Sequence, residues 1–160
     1  MGLDNIPNPY PCAGKETTIR TKEDKLDCNS MIEKKVCPFY DSQHAVGMFG
    51  TNCWYRGKVI AKELEALGYE NLSDEFYQNK ENNELPLLKS ELEDILNKLD
   101  LKSEKEKKDL KGAGWNGHYI DDKFIWETYS NYDDITNELK DVIKWLEILI
   151  KNECGFRAWY

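Results

Sequence analysis

The segment DDITNELKDVIKWLEILIK, residues 133–151, decides the fold. Ile135, Leu139, Val142, Ile143, Leu146, Leu149 and Ile150 recur at the helical period and form one broad apolar face. Trp145 and Ile148 widen that face, so a helix over 134–152 is expected to be covered on more than one side. Asp133 or Asp134 is the expected N-cap, and Glu138 falls in the early turns, where negative charge suits the helix dipole. Such a helix has to be the pillar of the core.

The elements expected around it are shorter. Leu88, Leu92, Ile95, Leu96 and Leu99 make one stripe on a helix that starts with Pro86 in its first turn. Trp54 to Leu67 reads as another helix, capped by Thr51 or Asn52 and ended by Gly68, with Val59, Ile60, Leu64 and Leu67 inward. A short helix from Ser73 would turn Phe76 and Tyr77 inward, and Ser103 with Glu106 makes a capping box for a charged helix to Leu110. Thr17 to Thr21 has strand composition, and Tyr119-Ile120 with Phe124–Trp126 around Asp121-Asp122-Lys123 reads as a small hairpin in preference to the start of a helix. The expected fold class is therefore mainly α with a small β component (α+β). It is read as one compact helical domain over 1–160, with a Cys-rich loop module at 1–53 and a helical part at 54–160.

The module has the chain's most distinctive chemistry. Cys12, Cys28, Cys37 and Cys53 are separated by fifteen, eight and fifteen residues. Prolines at 7, 9 and 11, the turn Cys37-Pro38-Phe39-Tyr40 and the Gly-Met-Phe-Gly at 47–50 put most of these cysteines on loops. So little regular structure cannot bury enough surface alone, and a staple is expected. Zinc on four thiolates is the first reading, although no C-x2-C knuckle is present, and His44 stands where it can replace one sulfur. An iron–sulfur cluster also takes four cysteines, and Cys37-Pro38 faintly echoes the end of some cluster motifs. Two disulfides, or plain core cysteines, complete the options; a reducing cytosol disfavours the disulfides. Cys154 stands apart, as a free thiol or a substitute ligand.

Charge bounds the partners. The chain of 160 residues carries a net −8, with 40% hydrophobic and 32% charged residues. Residues 1–60 hold 8 Lys/Arg against 7 Asp/Glu, the remaining hundred 14 against 23. An acidic C-terminal part repels phosphate backbones, which speaks against direct nucleic-acid binding and for solubility, or for attraction to a basic protein surface. No apolar run is long enough to span a bilayer, and the start MGLDNIPNPYPC is no secretory signal, so no membrane association and a cytoplasmic location, in the cell or its host, are expected. The Lys/Glu/Asn/Ile-rich style points to an AT-rich microbial or viral genome.

Three functions compete. The first is a non-enzymatic interaction or regulatory protein with a four-cysteine structural metal site and a protein partner, in its sharpest form a viral inhibitor that offers an acidic face to a basic groove. The second is an iron–sulfur redox or sensor protein. The third is a small hydrolase or transferase using the 112–122 loop with His118, Asp121 and Asp122, although adjacent carboxylates point apart on any regular element. No residue is assigned a catalytic role. Candidate binding residues are Trp54 and Arg56 at the start of the second helical segment, and Trp115 and His118 in the glycine-rich run Gly-Ala-Gly-Trp-Asn-Gly-His at 112–118.

Overall fold

The computed structural model describes residues 2–40 and 53–160, except for the side chains of Trp115 and Asn116. The expected caps Thr51 and Asn52, the run 47–50 and His44 lie outside the described residues. The architecture is α+β. Its elements are β1 (Asp4–Asn8), α1 (Cys28–Glu33), α2 (Gly57–Ala66), α3 (Glu70–Glu75), α4 (Leu85–Asp100), α5 (Glu104–Asp109), β2 (Gly114–Ile120), β3 (Lys123–Tyr129), α6 (Tyr132–Lys151) and β4 (Gly155–Trp159). A 3-10 turn over Asn82–Glu84 leads into α4.

Helix α6 is the pillar that its periodicity predicts. It packs on α4 and α2, and Ile135, Leu139, Val142, Trp145, Leu146 and Leu149 have no solvent exposure. Helix α4 answers with Leu85, Leu88, Leu92, Ile95 and Leu99. The N-cap of α6 is Asn131, just upstream of the aspartates. Its side chain accepts from the Asp134 N–H, and the Asp134 carboxylate accepts from the Asn131 N–H, so Asp134 is the far half of a capping box. The box at Ser103 and Glu106 stands as expected.

Two antiparallel ribbons supply the β component. β1 pairs with β4 from Asp4↔Trp159 to Asn8↔Gly155, joining the two ends of the chain. Single bridges extend this ribbon on both edges, Asn5↔Tyr55 beside β1 and Lys80↔Phe156 beside β4. Gly155 is required there, because a Cβ would stand 2.0 Å from the Lys80 carbonyl oxygen. The other ribbon, β2–β3, is the expected hairpin, but longer. It takes in Gly114 to His118, so this run is a strand and not a loop, with register shifts near Asn116. Asp121 and Asp122 are its two turn residues, both at positive φ as a type I′ turn needs. The strand expected at 17–21 reduces to one bridge, Arg20↔Leu26. The helix expected from Ser73 begins at Glu70 and encloses it.

Glu138 does more than complement a dipole. Its Oε1 accepts from the hydroxyl of Tyr55, which is 1% exposed. Burial foremost, then the charges of Asp141 and Glu63, raises the Glu138 carboxyl above its ordinary value, against the lowering effect of the Tyr55 hydrogen bond. Burial and the Glu138 carboxylate likewise hold the Tyr55 hydroxyl well above the ordinary tyrosine range. Both groups keep their protons longer in the fold than in the unfolded chain, so each adds stability at low pH that is lost as pH rises through the folded value. For Glu138 that window opens at the ordinary 4.5. Glu138→Gln keeps an acceptor for Tyr55 without the charge. Its stability relative to wild type should therefore improve as pH rises from 5 to 8 in urea titrations. A stability difference that does not change with pH would contradict this assignment.

Candidate metal centre

Each cysteine of the module is brought to one place by a different local device. β1 ends at the cis Asn8–Pro9 bond, and Ala13 N donates to the Tyr10 carbonyl at 2.9 Å in the turn that presents Cys12. The Thr18 hydroxyl donates to the Cys12 carbonyl and fixes that turn from outside. Cys28 is the first residue of α1, whose cap Asp27 accepts from Ser30 N at 3.0 Å and from Ser30 Oγ at 2.9 Å. Lys35, at positive φ, reverses the chain after α1. Val36 N and Cys37 N then both donate to the Met31 carbonyl, at 2.9 and 3.2 Å. Cys53 is held from the core side, where its carbonyl accepts from Trp145 Nε1 at 2.8 Å.

All four cysteines line one cavity of about 10 Å3. That is room for about one water-sized sphere. Met31 and Phe39, 1% and 0% exposed, are among the apolar residues that complete its wall. Cys12 and Cys53 are buried, Cys28 and Cys37 half-buried, and none of the five cysteines is in a disulfide. Among the described residues, no group of three or more His, Cys, Asp or Glu side chains stands at metal-holding geometry. The four sulfurs thus share a cavity without being drawn onto one point.

The electrostatics disfavour thiolate charge at each of them. Burial, foremost, pushes all four thiols up, and Cys53 would also feel Cys37, Cys28 and Cys12 as thiolates. Cys12 likewise feels Cys37 and Cys28, against the lesser lowering effects of a backbone hydrogen bond and of Lys15. A set of thiols this deeply desolvated stays protonated unless a cation enters among them. A divalent soft-metal ion reverses that balance, since a coordinating thiol is deprotonated outright. Four cysteine sulfurs are the donor type that such an ion takes.

The other candidates do not gather around this cavity. Trp54 is 7% exposed, donates from Nε1 to the Tyr10 hydroxyl at 3.0 Å and meets Trp159 edge-on at 6.0 Å, so it braces the module against β4. Arg56 is the N-cap residue of α2, half-exposed, with Nε 4.0 Å from Asp4 Oδ1. His118 lies on β2 with Nδ1 3.0 Å from Glu127 Oε1, and the Trp115 side chain is outside the described residues. Asp121 and Asp122 are exposed at the hairpin tip. Cys154 is buried beside the β1–β4 ribbon, where its Sγ contacts the Asn152 carbonyl at 3.2 Å. Sequence reasoning missed Met31 and Phe39 as the wall; their spacing from Cys28 and Cys37, three residues on a helix and two in a turn, is the signal that was there. No helix among the described residues is long and apolar enough to cross a membrane. No protein-family model, curated protein or solved structure matches this chain.

Proposed function

We propose that this chain is a small interaction protein whose N-terminal module is stapled by one zinc ion on Cys12, Cys28, Cys37 and Cys53. The observation that supports the reading is that four cysteines, from four separate segments, line one small cavity. Zinc prefers closed tetrahedral sites of this ligand type, and its binding free energy becomes folding free energy for a segment with little core of its own. Thiolate ligands need a reducing compartment, so the protein belongs in the cytoplasm of a cell or host.

The partner in this reading is a protein with a basic surface. Supporting it is the groove between α3 and α4, where among the described residues Glu70, Glu91 and Asp94 stand with one lining cation, Lys98, and Glu75 is paired with Lys80. Such a contact would weaken steeply with salt. The test of the metal reading is elemental analysis, with a visible spectrum, of untagged protein purified without oxygen. About one zinc per chain and no visible colour is the expected result. Iron with acid-labile sulfide would replace zinc by a cluster, and a metal-free protein would remove the staple.

A further inference from the structure

A second cavity, of about 270 Å3, lies between the first half of α2 and the base of the β2–β3 hairpin, away from the cysteines. Arg56, Lys58 and Lys62 line it from α2, and Gly114 and Trp126 from the hairpin. Three cations around one indole stand out in a chain of net charge −8. The one carboxylate on the wall, Glu63, is 5% exposed. Its Oε1 accepts from the Ser130 hydroxyl and its Oε2 from Ala113 N at 3.0 Å, so it pins the hairpin base to α2. Asp4, 3% exposed, forms an ion pair with Arg56 at 4.0 Å.

The aromatic side of the cleft is built. Trp126 sits directly on Gly114, where a Cβ would stand 2.3 to 2.5 Å from its ring atoms. The ring is thus seated on backbone, an approach only glycine permits. Lys62 Nζ stands 5.7 Å from the Trp126 centroid. Phe124 meets Trp126 edge-on at 4.7 Å, and Tyr119 meets Phe124 edge-on at 5.0 Å. The pairings Gly117↔Trp126 and Tyr119↔Phe124 put these rings on one face of the ribbon, with Tyr119 74% and Phe124 44% exposed. A line of aromatic rings therefore runs from the hairpin tip into the cationic cleft.

We propose that this cleft binds a nucleotide, a planar ring carrying a phosphate, either free or as the end of a strand. Arg56 takes the phosphate with its planar fork of donors, and Lys58 adds positive potential from the same wall. The ring takes the place over Trp126 that the Lys62 ammonium now holds, and the long Lys62 stem turns that charge toward the phosphate. A compact anion suits the site better than a long polyanion, which would run on past Asp121, Asp122 and Glu127 on the hairpin and the acidic remainder of the chain. The chain-wide charge argument against nucleic-acid backbones therefore does not extend to this cleft.

The test is calorimetric titration of the full-length protein, as purified, with AMP, with orthophosphate and with a 5′-phosphorylated oligothymidylate. AMP should bind at one per chain, about tenfold or more tighter than orthophosphate, since stacking adds to the phosphate contact. Raising the salt concentration should weaken it. Arg56→Glu and Lys62→Glu should each lower AMP affinity about tenfold, with a melting curve of each variant separating lost binding from a loosened fold. Trp126→Ala should remove the preference for AMP over orthophosphate. If that variant loosens the hairpin, the two charge reversals still decide. Oligothymidylate bound tighter than AMP would identify a strand end as the ligand, and equal or weaker binding a free nucleotide. No heat with millimolar AMP, orthophosphate bound as tightly as AMP, or affinities unmoved by either charge reversal would overturn the proposal.

Discussion

On the proposed zinc reading, treatment with a chelator at neutral pH is expected to open the segment from Pro9 to Tyr40 to proteolysis while the helices keep their far-ultraviolet signal. The regular structure in that segment is the six-residue α1 and one isolated bridge. An isolated helix of that length does not persist in water. Its buried side chains are Pro11, Cys12, Met31 and Phe39, and all of them line the cysteine cavity. Structural zinc contributes about 10–16 kcal/mol in small modules of this kind, far more than so few buried groups supply. The helical part rests on other contacts. α6 on α4 and the β1–β4 ribbon do not pass through the cysteines. Cys37→Ser should reproduce the chelator's effect, and limited proteolysis with mass mapping reads it. Cuts confined to 9–40 are expected. Unchanged protease resistance after complete metal removal would show that the module holds itself together.

The second large effect is expected at Trp145. It has no solvent exposure, and its ring lies 5.4 Å from that of Tyr55 and 5.5 Å from that of Phe156. Phe156 in turn stacks on Phe76 at 6.2 Å, so Trp145 closes a buried aromatic group fed by α6, β4 and the segment after Cys53. Trp145→Ala leaves a cavity and costs about 3–5 kcal/mol. In a chain of this length that lowers the melting temperature by about 6–20 °C. Trp145→Phe fills most of the space but removes the N–H that holds the Cys53 carbonyl at 2.8 Å, at a cost of about 1–3 kcal/mol for the stranded acceptor. That variant should also bind zinc more weakly, because the backbone carrying Cys53 loses its tether to the core. Melting curves with and without zinc separate the two effects. Equal zinc-induced stabilisation of wild type and Trp145→Phe would break the proposed link between core and module.

What could be read in advance follows the range of the interactions. α6 and α4 were legible because their faces repeat every turn, and the box at Ser103 and Glu106 because capping is settled within four residues. The Asp121-Asp122 turn was legible for the same local reason, but the strand character of Gly114 to His118 was not. Pairing with β3 overrode what three glycines suggest on their own. The β1–β4 ribbon joins residues at opposite ends of the chain, and no local pattern encodes that partnership. At the candidate centre, what the sequence offered was four cysteines as a group. Their meeting at one cavity depends on the turn at Cys12, the cap of α1, the reversal at Lys35 and the tether from Trp145, which only the fold assembles. Val59 marks the opposite case. Its spacing places it with the buried residues of α2, yet it is 38% exposed on the wall of the cationic cleft.

The central claim, one metal ion held by Cys12, Cys28, Cys37 and Cys53, is tested most directly by X-ray absorption at the metal edge of the purified protein. The account predicts a single shell of four sulfurs at about 2.3 Å from zinc. Metal–metal scattering, a shell of nitrogen and oxygen, or a spectrum unchanged by Cys12→Ser and Cys37→Ser would contradict it.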